Sequence, residues 1–283
     1  MSSRQRAHKA TTRANRQARR PREQTHEPQT LDEQTGLPTH LVEAVRASAG
    51  PLADTIIAGW GQERPVTMRV NTLRSGLADV TRELDEAGIG YARVPWYADA
   101  LVLADDVRER DVWGLNAYAQ GKVYLQSLSS MLPPLALRPQ PGTDVLDMCA
   151  APGGKTSELA TLAPAREGVR AARVTACELS APRAEKLEHN LAKLGATNVQ
   201  VMRVDARRLD DWFSFDQVLL DAPCTGSGTV SLHDGHAARY LTPELANRVE
   251  RSQRALLDRG LTVLKAGGSL VYSTCSILPR ENE

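Results

Sequence analysis

Four cysteines stand at positions 149, 177, 224 and 275, and two of them occupy settings suited to covalent chemistry. Cys224 closes the run Leu219-Leu220-Asp221-Ala222-Pro223-Cys224, and Cys275 closes Val271-Tyr272-Ser273-Thr274-Cys275. Each apolar run reads as a buried strand. Each thiol therefore falls just past the carboxyl end of a strand, where open α/β sheets bind their ligands. An exposed thiol in that position can act as nucleophile or as acid/base. Cys177 instead reads as a small buried hydrophobe, and Cys149 as a residue whose backbone lines the ligand. No C-x-x-C pair is present, so neither a structural zinc nor any other metal site is expected. Four scattered cysteines make no disulfide framework, which suits a reduced, cytoplasmic compartment.

A third strand end is equally informative. The run Asp147-Met148-Cys149-Ala150-Ala151-Pro152-Gly153-Gly154-Lys155-Thr156 ends like a phosphate-binding loop. Such a loop needs glycine at 149, where cysteine stands, so a nucleoside-triphosphate site is excluded, and no G-x-G-x-x-G fingerprint occurs. Acids follow the next three strands, at Glu178, Asp205 and Asp221. The first is placed to accept ribose hydroxyls and the second an adenine amino group, because a carboxylate is acceptor-only. Small residues after the first strand let the backbone approach a ligand closely. The set suits an adenosyl ligand without a phosphate tail, and points to S-adenosylmethionine.

The elements that must position these residues alternate regularly from Thr143 onward. Strands are predicted at Val145-Leu146, 174–176, 199–204, 217–220 and 269–274, with helices over 155–163, from Ser180 to Gly195, and over 243–264. Gly267-Gly268 reads as the stop of the last helix. This order predicts a parallel, doubly wound Rossmann-like sheet covered on both faces. Upstream, two short helices are expected near 38–48 and 51–60. A small α+β unit follows over Pro65–Leu103, with a strand on Val66, Met68 and Val70, a helix capped by Ser75 and stopped at Gly88, and strands at 91–97 and 101–103.

The composition is that of a globular protein, 41% apolar and 24% charged in 283 residues. No run of about 18 apolar residues exists to span a membrane, and no apolar segment follows the basic start as in a signal peptide. The net charge of +1 hides an asymmetry: residues 1–22 carry eight Arg or Lys and no acid, leaving −7 for the rest. Such an arm suits a polyanionic partner or is a leader without a specific role. A mitochondrial transit segment is disfavoured, since positions 1–30 hold no Leu, Ile, Val or Phe. The division expected is a basic disordered tail over 1–35, a helical and α+β region over 36–138, and a ligand-binding sheet domain over 139–283.

With these residues in view, the chain resembles the Nop/Sun (Fmu/RsmB-like) family of RNA cytosine-5 methyltransferases from Arg69 to Glu283. The resemblance rests on Arg69-Val70-Asn71-Thr72-Leu73, Tyr124-Leu125-Gln126, Ser129-Ser130-Met131-Leu132-Pro133, the Asp147–Thr156 run, Asp221-Ala222-Pro223-Cys224 and Tyr272-Ser273-Thr274-Cys275-Ser276. It implies a donor site built from Cys149, Ala150, Ala151, Pro152, Gly153, Gly154, Lys155, Glu178, Asp205 and Asp221. It also implies Cys275 as nucleophile, Cys224 as the residue that releases product, and Asp221 as a catalytic carboxylate on the base edge. The N-terminal α+β region becomes the RNA-binding part, and the partner an unstacked cytosine in ribosomal or transfer RNA.

Two departures from the family pattern bear on this. Thr229-Val230-Ser231-Leu232-His233-Asp234-Gly235-His236 lacks the Arg and Pro usual there, and its histidines read as solvated loop residues. The family continues beyond the Cys275 strand into an antiparallel hairpin, so without it that strand is expected to be a bare edge of a C-terminally short sheet. The alternative readings are a catalytically impaired RNA-binding or assembly protein that retains the fold, and a methyltransferase for protein or small molecules. The latter leaves the second cysteine and the basic arm unexplained.

Overall fold

A computed structural model describes residues 30–233 and 241–282. The basic segment 1–22 and His236 lie outside the described residues. The first described turn is ordered, where the sequence predicts disorder to residue 35. The Asp32 carboxylate accepts from the Gln34 and Thr35 amides and the Thr35 hydroxyl, closing a turn that bridges Leu31 to Pro38.

Helices α1 (Thr39–Ala49) and α2 (Ala53–Gly59) follow, broken at Gly50-Pro51. Leu41, Val45, Ile57 and Trp60 bury one face of the pair against Val230 and Leu278 from the far end of the chain. Next comes an antiparallel sheet of β1 (Thr67–Val70), β2 (Tyr91–Val94), β3 (Tyr97–Leu103) and β4 (Val123–Leu125), in the order β2-β3-β1-β4. Met68 and Val70 alternate inward to meet Val80 and Leu84 of α3 (Leu77–Glu86). The cap of α3 is Gly76 rather than Ser75, whose hydroxyl turns to the Gly76 carbonyl instead of the helix amides. The stretch read as one strand over 91–97 breaks at Val94, where the pairing register with β3 shifts. Short helices α4 (Glu109–Trp113) and α5 (Asn116–Ala119) lead to β4, and α6 (Leu128–Leu137) links the two sheets.

The second sheet is parallel: β5 (Asp144–Asp147), β6 (Arg173–Cys177), β7 (Val199–Met202), β8 (Phe215–Asp221) and β9 (Leu264–Ser273), in the order β7-β6-β5-β8-β9. Helices α7 (Gly154–Leu162), α8 (Ala181–Leu194) and α9 (Pro243–Thr262) cover it. Both faces are apolar, as a doubly covered sheet requires. Leu146, Val218 and Leu220 pack toward Leu256, while Val145, Val174 and Leu219 pack toward Leu159 and Leu137. Gly267-Gly268 does not stop a helix: α9 ends at Thr262, and both glycines lie inside β9. A side chain at Gly268 would meet the Asp216 carbonyl at 2.6 Å. The chain runs β5, β6, β7 outward and returns to the other side of β5 with β8. The order therefore reverses at the β5/β8 crevice, where such sheets bind ligands. β9 is the outer strand on that side and pairs with β8.

A buried polar cluster joins the two sheets. Arg69 on β1 and Glu158 on α7 are fully buried, 3.9 Å apart. Gln126 bridges them, accepting from Arg69 Nε and donating to Glu158 Oε2 at 2.7 Å. Arg69 also donates to the Ser157 hydroxyl at 2.8 Å, tying β1 to the first turn of α7.

Candidate active site

The β5–α7 turn sets the site's geometry. Gly153 adopts φ +108°, and a side chain there would strike Leu187, while one at Gly154 would strike the Tyr124 ring at 2.9 Å. Asp147, at the end of β5, is buried and accepts from the Thr156 hydroxyl at 2.7 Å and the Cys149 amide at 3.3 Å. Burial pushes its carboxyl up to about 6, against the opposing pull of the Thr156 hydrogen bond.

The strand-end acids converge on a cavity of about 410 Å³, lined by Cys149, Glu178, Asp205, Asp221, Cys224 and Cys275 among others. That volume falls in the range of small-molecule sites. Glu178 is nearly buried; it accepts from the Ser180 amide at 2.8 Å and pairs with Arg183 at 3.4 Å. Asp205 is gripped by Arg207, whose Nε and Nη2 donate to its two oxygens at 2.8 and 2.7 Å, holding its carboxyl below the ordinary range. The Arg207 amide donates as well, at 3.1 Å, and since a carboxylate has about four acceptor positions, these three bonds leave room for one more donor. A second cavity, of about 240 Å³, lies between Tyr124, Gln126 and Ser130 and the Ala150–Lys155 turn, and shares Cys149, Ala151 and Asp221 with the first. At the junction Lys155 Nζ sits 2.9 Å from Asp221 Oδ2 and donates to the Ser130 hydroxyl at 2.7 Å. The Ser273 hydroxyl donates to the other Asp221 oxygen at 2.8 Å.

The two thiols meet. Cys224 Sγ and Cys275 Sγ lie 2.9 Å apart, Cys275 exposed and Cys224 half-buried. The pair is polarised: the hydrogen bond from Cys224 lowers Cys275 to about 7, while the same contact and burial push Cys224 well above the ordinary thiol range. Cys275 is thus the more acidic sulfur of the pair. Cys177 is buried and held protonated by burial, as a structural cysteine is; Cys149 is half-buried beside Asp147, and burial raises its thiol strongly.

One residue without a role in the sequence reading organises both thiol loops. Glu281 is buried, and its carboxylate accepts from the Thr225 amide at 2.8 Å, the Thr225 hydroxyl at 2.5 Å, Gln253 Nε2 at 3.1 Å and the Ser276 hydroxyl. Thr225 follows Cys224 and Ser276 follows Cys275, so one carboxylate ties the two loops together. Ser227 adds a contact to Ser276 at 2.9 Å. Tyr124, Ser130 and Asp147 gain their places here too, although the sequence reading used them only as parts of motifs. His233 is exposed but tied, its Nε2 lying 2.9 Å from the Gly61 carbonyl. Among the described residues no group of three or more His, Cys, Asp or Glu could hold a metal, and no helix is long and apolar enough to cross a membrane.

Two family descriptions match the chain: 16S rRNA methyltransferase RsmB/F over residues 134–283, and an RsmF/B-like ferredoxin-like domain over residues 37–108. The chain is 35% identical over 235 residues to ribosomal RNA small subunit methyltransferase F of Shewanella sp. (strain ANA-3), covering 81% of this chain and 47% of that protein. It is 38% identical over 225 residues to the protein of that name from Shewanella loihica, with 77% and 45% covered. A solved methyltransferase homologue from Pyrococcus horikoshii superposes with a TM-score of 0.72 at 36% identity, over 85% of this chain and 74% of that one. The chain spans about half the length of the curated relatives it matches.

Proposed function

Because the chain belongs to the RsmB/F family of 16S rRNA methyltransferases, we propose that it methylates position 5 of a cytosine in small-subunit ribosomal RNA through a covalent cysteine–C6 intermediate. The observation that carries this reading is the polarised thiol pair at the mouth of the strand-end cavity. The residues fit an adenosyl donor: Glu178 would take the ribose hydroxyls and Asp205 the adenine amino group, with the Cys149–Lys155 backbone against the rest. S-adenosylmethionine supplies an electrophilic methyl group when bound there. In this reading residues 139–283 hold the donor and residues 36–138 hold the RNA.

The chain's own residues then act as follows. The Cys275 thiolate adds to C6, the new S–C6 bond sending an electron pair to C5 and making that carbon nucleophilic. Asp221 faces the base edge, and the Lys155 ammonium beside it offsets negative charge that builds on the ring. Once C5 is methylated, a solvent base takes its proton, the C5–H electron pair re-forms the C5–C6 double bond, and the Cys275 sulfur leaves as thiolate with the S–C6 pair, with Cys224 assisting release. The test is incorporation of labelled methyl into unmodified ribosomal and transfer RNA, followed by bisulfite mapping. Methyl at one small-subunit cytosine is the expected result. Incorporation into transfer RNA alone would move the substrate, and none at all would leave an RNA-binding protein.

Two further outcomes follow from the geometry. Asp205→Ala is expected to weaken donor binding by about 1–3 kcal/mol, the cost of removing a charged acceptor from a polar donor. Calorimetry showing unchanged affinity would remove Asp205 from the adenine site. Glu281→Ala frees both thiol loops at once. Because misplacing a reacting group by an ångström costs on the order of 10²-fold in rate, kcat should fall by that order while donor affinity stays the same. The pH midpoint of Cys275 alkylation should also rise as the Cys224 hydrogen bond lengthens. An unchanged midpoint would mean that Glu281 does not set the thiol contact.

A further inference from the structure

A groove of about 440 Å³ lies beside the thiol cavity, lined by Arg207, Pro223, Arg248, Val249, Arg251 and Ser252. Arg207, Pro223 and Ser252 also line the thiol cavity, so the two are continuous, and Pro223 is the residue before Cys224. Arg248 and Arg251 project from α9, are exposed, and have no carboxylate within ion-pair distance among the described residues. Their neighbour Arg254 is balanced by Glu250 four residues earlier, at 3.0 Å. Two like charges three residues apart on a helix repel each other. Here they repel across a groove that already holds a third arginine, Arg207, whose charge is partly answered by Asp205.

We propose that this groove binds the phosphodiester backbone of the RNA strand next to the target cytosine. The inference rests on the methyltransferase reading above, which places the unstacked base at Asp221 and the thiols. A base extruded into a pocket leaves its own and neighbouring phosphates at the pocket's rim. Guanidinium groups, which fork onto phosphate oxygens, are the side chains suited to hold them there. Val249 and Pro223 give the groove an apolar floor on which a ribose or flanking base can lie. An acidic protein surface would answer the same charges, but continuity with the thiol cavity favours the substrate strand.

The experiment compares the full chain with Arg248→Gln/Arg251→Gln, and with a charge-matched control, Arg166→Gln/Arg173→Gln, at the amino ends of the strands away from the site. The probe is unmodified small-subunit ribosomal RNA, titrated between about 0.05 and 0.3 M salt. For single strands each lost phosphate contact removes about 0.7 from the slope of log K against log salt. The groove variant should therefore lose about 1.4 in slope and, by the same relation, about 25-fold in affinity at about 0.1 M salt. The control should lose neither. In turnover the groove variant should raise KM with little change in kcat, and donor affinity should match wild type, because neither arginine touches the donor cavity. If wild type binds RNA and the groove variant binds with the same affinity and slope, the groove is overturned while the RNA reading stands. If wild type binds the donor but no RNA, both fall.

Discussion

Cys275→Ala is expected to abolish methylation and to leave no covalent RNA adduct. Cys224→Ala should accumulate an adduct stable to denaturing electrophoresis, and the double variant none. Cys224 Sγ and Cys275 Sγ lie 2.9 Å apart, and within this pair Cys275 is lowered to about 7 while Cys224 is raised. In the proposed mechanism the more acidic sulfur, Cys275, supplies the attacking thiolate. Without it C5 is never activated, and removing covalent catalysis leaves little measurable rate. Cys224→Ala keeps the nucleophile but removes the hydrogen bond that lowers it. Attack should still occur, with its pH midpoint moved toward the ordinary thiol value, and release should stall. Adduct yield against pH reads both effects in one titration. The opposite assignment, with the Pro-Cys thiol as nucleophile, predicts adduct in Cys275→Ala and none in Cys224→Ala; that outcome would falsify the division of roles between the two sulfurs.

The largest effect on stability is expected at the junction of the two sheets. Arg69 and Glu158 are fully buried and bridged by Gln126, and among the described residues Arg69 Nη1 and Glu158 Oε1 have no hydrogen-bond partner. Above about pH 7, where Glu158 is charged, removing Arg69 strands that charge, at about 3–5 kcal/mol. Arg69→Met should therefore lower the urea midpoint sharply, and Arg69→Met/Glu158→Gln should recover much of the loss. A loss under about 1 kcal/mol in the single variant would show that the pair is not strongly coupled.

The pH dependence of stability has a definite sign. Burial raises Glu158 to about 7 from its ordinary 4.5, so the folded chain binds the extra proton. Between those values the folded state holds more protons than the unfolded state, and stability declines as pH rises through that window, then levels off. Asp147, raised to about 6, adds a decline of the same sign from about pH 4. In Arg69→Met the nearby guanidinium no longer opposes the shift, and the decline should extend above about pH 7. Urea unfolding at about pH 5, 6 and 7 measures the wild-type decline, below the range where the lowered Cys275 thiol adds a rise of opposite sign, and a stability that rises from about pH 5 to 7 would contradict the assignment.

The amino-acid sequence by itself determined the parallel sheet and where its chemistry stands. Apolar runs of strand length, each ending in an acid or a cysteine, carry their address in the local pattern, because strand ends in such a sheet are adjacent whatever the loops do. That is why Glu178, Asp205, Asp221, Cys224 and Cys275 can be placed around one crevice from the unfolded chain, and why Cys177 reads as core. Elements whose stability is borrowed from neighbours are less legible. β4 is three residues long and exists through pairing with β1, and α6 accommodates Pro133 and Pro134, which read locally as breakers. Gly267-Gly268 gives a helix-stop signal one turn late, since glycine marks a close backbone approach in a strand as well as a helix end.

Tertiary structure alone decided how the residues act on one another. Nothing in the spacing of 224 and 275 says that their sulfurs touch, or which of them keeps the proton. That polarity comes from a single contact and from unequal burial. Glu281 likewise looks like one more charged residue in Pro279-Arg280-Glu281. Its role appears once the chain folds it beneath both thiol loops, where a carboxylate shielded from water must satisfy its oxygens with the donors that surround it. Local pattern records which face and which end of an element a residue occupies. Distances between elements, and the desolvation that shifts a proton, are properties of the packed whole.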